Sequence, residues 1–179
     1  MKLATTLVTI TFLIPTILTS PTLNPKRSLP DYLAVITSLT DATNDFSSWI
    51  TEYASGTITG PDLLTHSTDL LDAYAGLSGT IIQLDPLSNS DALGLLNPVL
   101  GLRDATGDMV DTLITVKSSL VGDGLNDEIS VWLSELKGEM EYLRDRIVDK
   151  VLAALKEAVY DVLNSIPEQI GRGEDALLT

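Results

Sequence analysis

The fold is decided by residues 30–56, which read PDYLAVITSLTDATNDFSSWITEYASG. Apolar side chains recur in this stretch at intervals of three and four, which is the period of an amphipathic α-helix. Pro30 precedes the run and Gly56 follows it, as is typical of the two ends of a helix. We therefore predict a first helix over residues 31–55. Its inward face comprises Tyr32, Leu33, Ile36, Leu39, Phe46, Trp49, Ile50 and Tyr53.

Helix-start and helix-stop signals divide the next part of the chain. The sequence Thr-Gly-Pro at 59–61 predicts the start of a second helix, and the Asp-Pro pair at 85–86 predicts its end. Ser88 predicts the start of a short third helix. The Asn-Pro pair at 97–98 predicts a restart as a fourth helix that reaches residue 120 or so. The Gly-Asp-Gly sequence at 122–124 predicts a loop.

One apolar register then continues from Ile129 to Pro167, with neither Gly nor Pro over residues 139–166. An unbroken helix of this whole register would be about 60 Å long, which is too long for a compact bundle of this size. We therefore predict a kink or turn within residues 147–153, and a short tail over residues 167–179. The chain as a whole predicts an all-α fold, a single bundle of about five helices.

The first 27 residues predict a secretion leader. Lys2 precedes an uncharged apolar run that Pro15 interrupts, and the dibasic pair Lys26-Arg27 follows. A run this short and broken cannot span a bilayer as a stable helix, so no transmembrane segment is expected. We expect signal peptidase to cut near residues 19–22 and a kexin-type protease to cut after the dibasic pair. Residues 28–166 would then form one secreted helical domain that binds lipid.

The chain is strongly acidic, with 25 Asp and Glu against 11 Lys and Arg and a net charge of −14. Removal of the leader would take away three basic residues and no acid, which makes the net charge −17. Such a surface repels phosphates, so nucleic acid is not an expected partner. Cysteine is absent, so packing alone must hold the domain together.

Residues that could support catalysis are scarce. With no Cys and a single histidine, His66, the chain can assemble neither a Cys–His pair nor a metal cluster. The sequence GLSG at 76–79 lacks the spacing of a nucleophile elbow. The sequence DGLNDE at 123–128 lacks the glycine that a calcium loop needs at its sixth position. We therefore expect no enzymatic activity, no cofactor and no metal site, and we expect His66 to be an exposed or half-buried helix residue.

Small hydroxyl side chains interrupt the inward faces of three helices. They are Thr43, Ser47, Ser67, Ser78 and Thr106. One explanation is close helix packing, in which each hydroxyl bonds to the preceding turn. The other is an internal space with a few hydrogen-bonding groups in an apolar wall, the usual composition of a pocket for a lipid. A core with only two phenylalanines would also leave more room for such a space.

The leader, the dibasic pair and residues 30–56, followed by LLTHSTDLLDAYAGLSGTI at 63–81, resemble the fungal hydrophobic surface-binding protein A and cell-wall galactomannoprotein family. The segments LSNSDALGLLNPVLGLRDATGDMVDTLITVKSSL at 87–120 and VWLSELKGEMEYLRDRI at 131–147 also fit the family pattern. The resemblance covers residues 29–166. It implies about five helices around an apolar cavity that holds a long-chain fatty acid in some members. The family usually has a proline between its last two helices, where this chain has Lys150-Val151-Leu152.

Together these arguments predict a secreted protein, with the cell wall as a possible location, that binds or sequesters a fatty acid or a similar apolar ligand in an internal cavity. The acyl tail would contact apolar side chains and the head would meet hydroxyls. The predicted ligand-binding residues are Leu39, Thr43, Phe46, Ser67, Leu71, Tyr74, Ser78, Leu102, Met109, Leu113 and Leu136.

Two other functions stay open. The resemblance equally implies a protein that adsorbs to hydrophobic surfaces, where it coats a cuticle or cell wall or recruits secreted hydrolases. The bundle would then open so that its apolar faces meet the surface. An effector that binds a host protein through Trp49 or Trp132 ranks below both, because periodicity places the two tryptophans on inward faces.

Overall fold

A computed structural model of the chain describes residues 29–178, and the predicted leader lies outside them. The described residues form helices and connecting turns, with no strand among them. The helices are α1 (Leu29–Ala54), α2 (Gly60–Ile82), α3 (Asn89–Thr115), the short α4 (Lys117–Gly122), α5 (Asn126–Lys150) and α6 (Lys156–Leu178), with a 3₁₀ turn at Ala153–Leu155 before the last.

The five long helices form a closed ring. In its main contacts α1 packs against α2 and α3, α6 packs against α3 and α5, and α5 packs back on α2. Leu29 of α1 lies against Gly94 of α3, and Leu125 lies against Gly60, so α1 runs parallel to α3 and α5 runs parallel to α2. With neighbouring helix axes 8–10 Å apart, the centre of such a ring is about 8 Å from each axis, against about 6 Å in a four-helix bundle. Large side chains are therefore needed to fill it.

The start of α2 is fixed by the cap that the sequence predicts. The Thr59 amide donates to Asp62 Oδ2 at 2.9 Å, and the Asp62 amide donates to Thr59 Oγ1 at 3.5 Å. Pro61 lies in the first turn, where its missing N–H costs no helical hydrogen bond. The preceding turn contains Gly56 at φ +74°, a left-handed conformation that glycine adopts without a steric penalty. The predicted boundary between α1 and α2 is confirmed.

The prediction of two separate helices over residues 88–120 is wrong. Ser88 does cap a helix, but α3 continues through Pro98 to Thr115, and only the single turn α4 follows. Pro98 removes one hydrogen bond, the one that would reach the carbonyl of Gly94. The inward side chains before and after it, such as Leu95 and Leu102, are fully buried against the rest of the ring. This packing along both flanks of α3 outweighs the loss of one bond.

The predicted break within residues 147–153 is confirmed. Helix α5 ends at Lys150, and Val151 and Leu152 are extended, with ψ values of 142° and 148°. The amide of Leu87 donates to the Lys150 carbonyl at 2.8 Å, and Val151 is buried. These tertiary contacts end the helix at a place where the sequence has no proline.

The predicted tail over residues 167–179 is wrong. Helix α6 continues through Pro167 to Leu178 and remains part of the ring. Ile170 and Leu177 are buried, and the bare backbone at Gly173 lets α6 approach Val110 and Leu133 closely. The apolar spacing that continues beyond Pro167 explains why burial keeps this segment helical.

Candidate ligand-binding site

The structure brings the predicted ligand-binding residues together from four helices. Ten of the eleven are buried, and Leu71 is half-buried. Their apolar members belong to one continuous core along the axis of the ring. The sequence-based set lacks any residue of α6, although this helix buries Leu163, Ile166 and Ile170 in the same core. Ile166 already belongs to the predicted apolar register, whereas Pro167 suggested that the helix ended before Ile170.

A polar cluster lies inside this core and is centred on Tyr74. Its hydroxyl shares a hydrogen bond of 2.8 Å with Thr43 Oγ1, and the hydroxyl of Thr106 lies within hydrogen-bonding reach. Burial raises the pKa of Tyr74 to about 12, while the hydrogen bonds with Thr43 and Thr106 act in the opposite direction. Thr43 and Thr106 also donate to the carbonyls of Leu39 and Leu102, four residues earlier. The packing explanation is thus confirmed for these two threonines.

Among the buried hydroxyls, Ser78 and Ser130 of α5 differ from Thr43, Ser67 and Thr106, and Ser78 is the one in the predicted set. Its side chain is fully buried, yet its Oγ has no hydrogen-bond partner among the described residues. Ser67, in contrast, donates to the carbonyl of Leu64 at 2.8 Å. Ser78 lies one helical turn beyond Tyr74 on the same face of α2. A buried hydroxyl without a partner costs about 1–3 kcal/mol, so the core holds hydrogen-bonding capacity that its own packing does not use.

A groove between α2 and α5 opens to solvent beside this core and has a volume of about 500 Å³. Leu64, Leu71 and Val131 form its apolar walls together with Trp132. The Trp132 Nε1–H donates to the Ser67 carbonyl at 2.6 Å, and its ring packs on Phe46 with centroids 4.8 Å apart. Trp132 therefore ties α2 to α5 about one third of the way along both helices. The other residues that line the groove are Ser67, Thr68, Asp127, Glu128 and Glu135, so none of the lining residues is basic.

A smaller hollow of about 180 Å³ lies between α1 and α2. The ring of His66 stacks on Trp49 with centroids 3.9 Å apart and planes 4° from parallel. His66 Nδ1 lies 3.6 Å from Asp69 Oδ2, and the histidine side chain is 27% exposed. The expected half-buried position of His66 is confirmed.

The described part of the chain offers little else for chemistry. Over residues 29–178 no group of three or more His, Cys, Asp or Glu side chains is arranged to hold a metal ion. None of the helices in the same residues has an apolar stretch long enough to cross a membrane.

Comparison with known proteins shows which family this chain matches. The sequence model of the family described as hydrophobic surface binding protein A matches residues 29–149. Cell wall mannoprotein 1 of Aspergillus flavus is 28% identical over 142 residues, which are 79% of this chain and 51% of that protein. The chain thus spans about half the length of this curated relative.

Solved structures share the fold. Ligand binding domain 1 of the Penicillium marneffei MP1 protein, complexed with arachidonic acids, superimposes with a TM-score of 0.75 at 22% identity, over 83% of this chain and 97% of that one. Domain 2 of the same protein, complexed with multiple arachidonic acids, gives 0.77 at 24% identity, over 86% and 97%. AFMP4P in complex with palmitic acid gives 0.76 at 14% identity, over 84% and 99%. At these identities the likeness shows the fold alone.

Proposed function

The chain belongs to the hydrophobic surface binding protein A family, and we propose on that premise that it is a secreted, non-enzymatic protein that binds a long-chain fatty acid or a similar apolar ligand along the axis of the ring. The ligands bound in the structural relatives, arachidonic and palmitic acid, support this ligand class. The predicted leader and the cell-wall relative support secretion and association with the cell wall. The observation that carries the proposal is the unpartnered, fully buried hydroxyl of Ser78 beside the cluster of Tyr74, Thr43 and Thr106.

The head of the ligand meets this cluster. A protonated carboxyl or a hydroxyl can donate to Ser78 Oγ or accept from it, which satisfies the buried group that the core leaves unpaired. The neutral form is favoured because the described core around the cluster contains no basic side chain, and an ionised group without a partner is costly to bury there. The acyl tail then runs among Leu39, Leu102 and Met109.

The groove and the hollow described above open to solvent, as do two further cavities between the helices. The side chains of the predicted residues fill the axis of the ring. Binding therefore widens the ring and moves flexible leucine and methionine side chains aside. Burial of about twelve methylenes yields about 10 kcal/mol. This gain has to cover both the loss of translational and rotational freedom on association and the cost of opening the ring.

The α2–α5 groove suits a fatty acid less well than the axis does. Its charged lining residues are the carboxylates Asp127, Glu128 and Glu135. A fatty-acid carboxylate beside them would meet repulsion of like charges along the α5 wall of the groove. Repulsion between like charges therefore disfavours the carboxylate head in the groove. The core offers the head uncharged hydroxyls instead.

Native mass spectrometry of the secreted full chain, stripped of lipid and then loaded with palmitic or arachidonic acid, tests the proposal. We expect a bound acid at near-stoichiometric occupancy. A chain that keeps its helical circular dichroism yet never retains either acid would contradict ligand binding altogether.

The head contact has a sharper test. Ser78→Ala should lower the affinity for palmitic acid about tenfold, which corresponds to about 1.4 kcal/mol. The affinity for a linear alkane of equal length should not change, since an alkane has no head. Ser134→Ala, on the exposed face of α5, is the matched control. An equal loss for acid and alkane would place the head elsewhere.

Adsorption to hydrophobic surfaces is the second candidate, and the family description favours it. The exposed large apolar residues of the described chain include Leu93 on α3, Val131 on α5 and Leu178 on α6, and they occur singly on several helices. The ring must therefore open to present an apolar face. Loss of the near-ultraviolet dichroism of Trp49 and Trp132 on wax particles would indicate such opening, whereas a carrier keeps this signal.

A further inference from the structure

The charges of this protein are distributed unequally around the ring. Residues 29–102, which include all of α1 and α2, contain nine Asp and Glu and no Lys or Arg. The first half of α5, residues 126–136, contains three more acids and again no Lys or Arg. Six of the eight Lys and Arg in the described chain lie instead between residues 137 and 172 on α5 and α6. The field at the α2–α5 groove is therefore negative, and the carboxylates that line the groove, Asp127, Glu128 and Glu135, lie on its α5 wall.

The groove combines this field with an apolar floor. Val131 is 60% exposed and lines the groove together with half-buried Leu64 and Leu71 and with Trp132. Glu128 and Glu135 flank it at positions i−3 and i+4, about 10 Å apart along α5 at 1.5 Å per residue. Carboxylates thus stand near both ends of the apolar strip.

We propose that the α2–α5 groove docks a cationic amphipathic α-helix. Apolar residues at i, i+3 or i+4, and i+7 of such a helix span about 10 Å, which matches the apolar strip between Leu64 and Leu71 and along Val131. Lys or Arg residues next to the two outer anchors of the docked helix, on its side towards α5, then reach Glu128 at one end and Glu135 at the other. Charge complementarity of this kind fixes the register of the partner and speeds its association.

The spacing of the charges selects a helix over a single-headed amphiphile. A lipid with one cationic head would use acids gathered at one end of the groove, whereas these acids are distributed along its length. The cleft between α5 and α6 is a useful contrast. It is of similar volume, about 470 Å³, but it is lined by Lys137 and Arg172 as well as by acids, so it offers a cationic helix no uniform attraction.

The direct test measures binding of a synthetic amphipathic peptide of about 18 residues, built from leucine and lysine at helical spacing, to the full chain by fluorescence anisotropy. We expect saturable one-to-one binding that weakens with salt. The same peptide with glutamate in place of lysine should not bind. Equal binding of both peptides would overturn the proposal.

Three variants separate docking in the groove from general attraction to an acidic protein. Glu128→Lys with Glu135→Lys should weaken binding about tenfold or more. Glu157→Lys with Asp161→Lys, on exposed positions of α6, makes the same change in net charge and should weaken it less than about threefold. Val131→Asp adds a negative charge, which would strengthen diffuse attraction, yet it should weaken docking about tenfold because it removes the apolar contact.

Two results would overturn the inference. One is equal weakening by the two charge-reversal pairs, or tighter binding by Val131→Asp, since either shows attraction without a site. The other is one-for-one displacement of the peptide by palmitic acid, which would make the groove the mouth of the lipid site. Because palmitic acid loading is measured separately by native mass spectrometry, failure of peptide docking leaves the proposed lipid binding intact. Circular dichroism of each variant confirms that it is folded.

Discussion

The ring has an α6 side, where α6 packs against α3 and α5, and an α2 side, where α2 packs against α1 and α5. Different contacts hold these two sides together. On the α6 side, Arg172 pairs with Asp111 of α3 at 2.6 Å, and Arg144 of α5 donates to Asn164 at 2.6 Å. The end of α6 is fixed as well, because Lys117 and Asn126 donate to the carbonyls of Ala176 and Leu177. Polar contacts along its length thus join α6 to its neighbours.

On the α2 side, polar contacts with the neighbouring helices are also present. Thr43 of α1 bonds to Tyr74 inside the core, and Trp132 donates to the Ser67 carbonyl about one third of the way along α2. Lys150 donates to the carbonyls of Ile82 and Leu84 at the end of α2. The apolar groove and its carboxylates lie along the contact between α2 and α5. The comparison teaches that the chain concentrates its basic side chains where α3, α5 and α6 join. The α2 side remains acidic, packs less extensively against its neighbours and is suited to admit or contact a partner.

The largest expected effect on stability comes from the contact between α2 and α5. Trp132→Ala should lower the free energy of unfolding by about 3–5 kcal/mol, because a buried aromatic ring and its hydrogen bond are lost together. Chemical denaturation measures this change. Trp132→Phe, which keeps a ring beside Phe46 but removes the indole N–H, should cost about 1–2 kcal/mol. If Trp132→Ala lowers the free energy of unfolding by less than about 1 kcal/mol, the contact between α2 and α5 does not depend on this residue.

The second-largest expected effect is a loss of stability of the α2 side at alkaline pH. The pKa of Tyr74 is raised to about 12 by burial, whereas an unfolded tyrosine titrates near 10. The stabilisation by its neutral form is therefore complete below about pH 10 and is lost as the pH rises towards 12, by about 2 kcal/mol. Denaturation at a series of pH values should show this loss in the natural chain. Tyr74→Phe should lose correspondingly less, and an identical alkaline profile would assign the loss to other groups.

Burial also raises the pKa of Tyr32 and Tyr53 to about 12, with Asp85 and Asp123 acting in the same direction. All three tyrosines lie on α1 or α2. Hydrogen exchange at high pH should therefore show that protection in α2 falls before protection in α6. Simultaneous loss in both helices would remove the distinction between the two sides.

The α6 side can be tested at its closest contact. A Cβ at Gly173 would lie 2.9 Å from Val110 Cγ1, so Gly173→Val forces α6 away from α3 and should cost about 1–3 kcal/mol. Gly171→Val is the matched control, because a Cβ there meets only the flexible end of Lys137, at 3.4 Å. Thermal unfolding of the two variants compares them. Similar losses would mean that helix propensity, rather than packing, determines the effect.

The smallest expected effect has the opposite sign. Ser78→Ala removes a buried hydroxyl that has no partner in the described core, and it should stabilise the chain by about 1 kcal/mol. Ser67→Ala, which removes a satisfied hydroxyl, should not stabilise it. Higher stability together with weaker binding of fatty acid would show that the α2 side retains Ser78 for a ligand. Destabilisation by Ser78→Ala would instead indicate a structural role for this hydroxyl.

Much of the fold could be predicted from local signals. The cap at Thr59 and Asp62 acts over three residues, so the start of α2 was visible in the sequence. The break after Lys150 followed from the length of the register, although no residue marks it. The two prolines at 98 and 167 misled, because each removes one local bond while burial along the whole helix opposes the break. The packing that decides such a contest is absent from the local sequence.

The candidate site was predicted in the same partial way. Periodicity identified the inward residues correctly, and Tyr74, Thr43 and Leu102 do meet in the core. The binding role of these residues stays a prediction. The sequence also contained the acidic run without Lys or Arg, but it did not show that α2 lies beside α5, and so the groove could not be foreseen.

The sequence by itself determined that the described chain is helical and which face of each helix turns inward, because a period of 3.6 residues and the end caps act between near neighbours. Only the tertiary structure decided the order of helices around the ring, the hydrogen bond from Trp132 to Ser67 and the absence of a partner for Ser78. These features join residues far apart in the chain. They depend on which helices pack together, and that choice is made by the shapes of whole faces rather than by any short pattern.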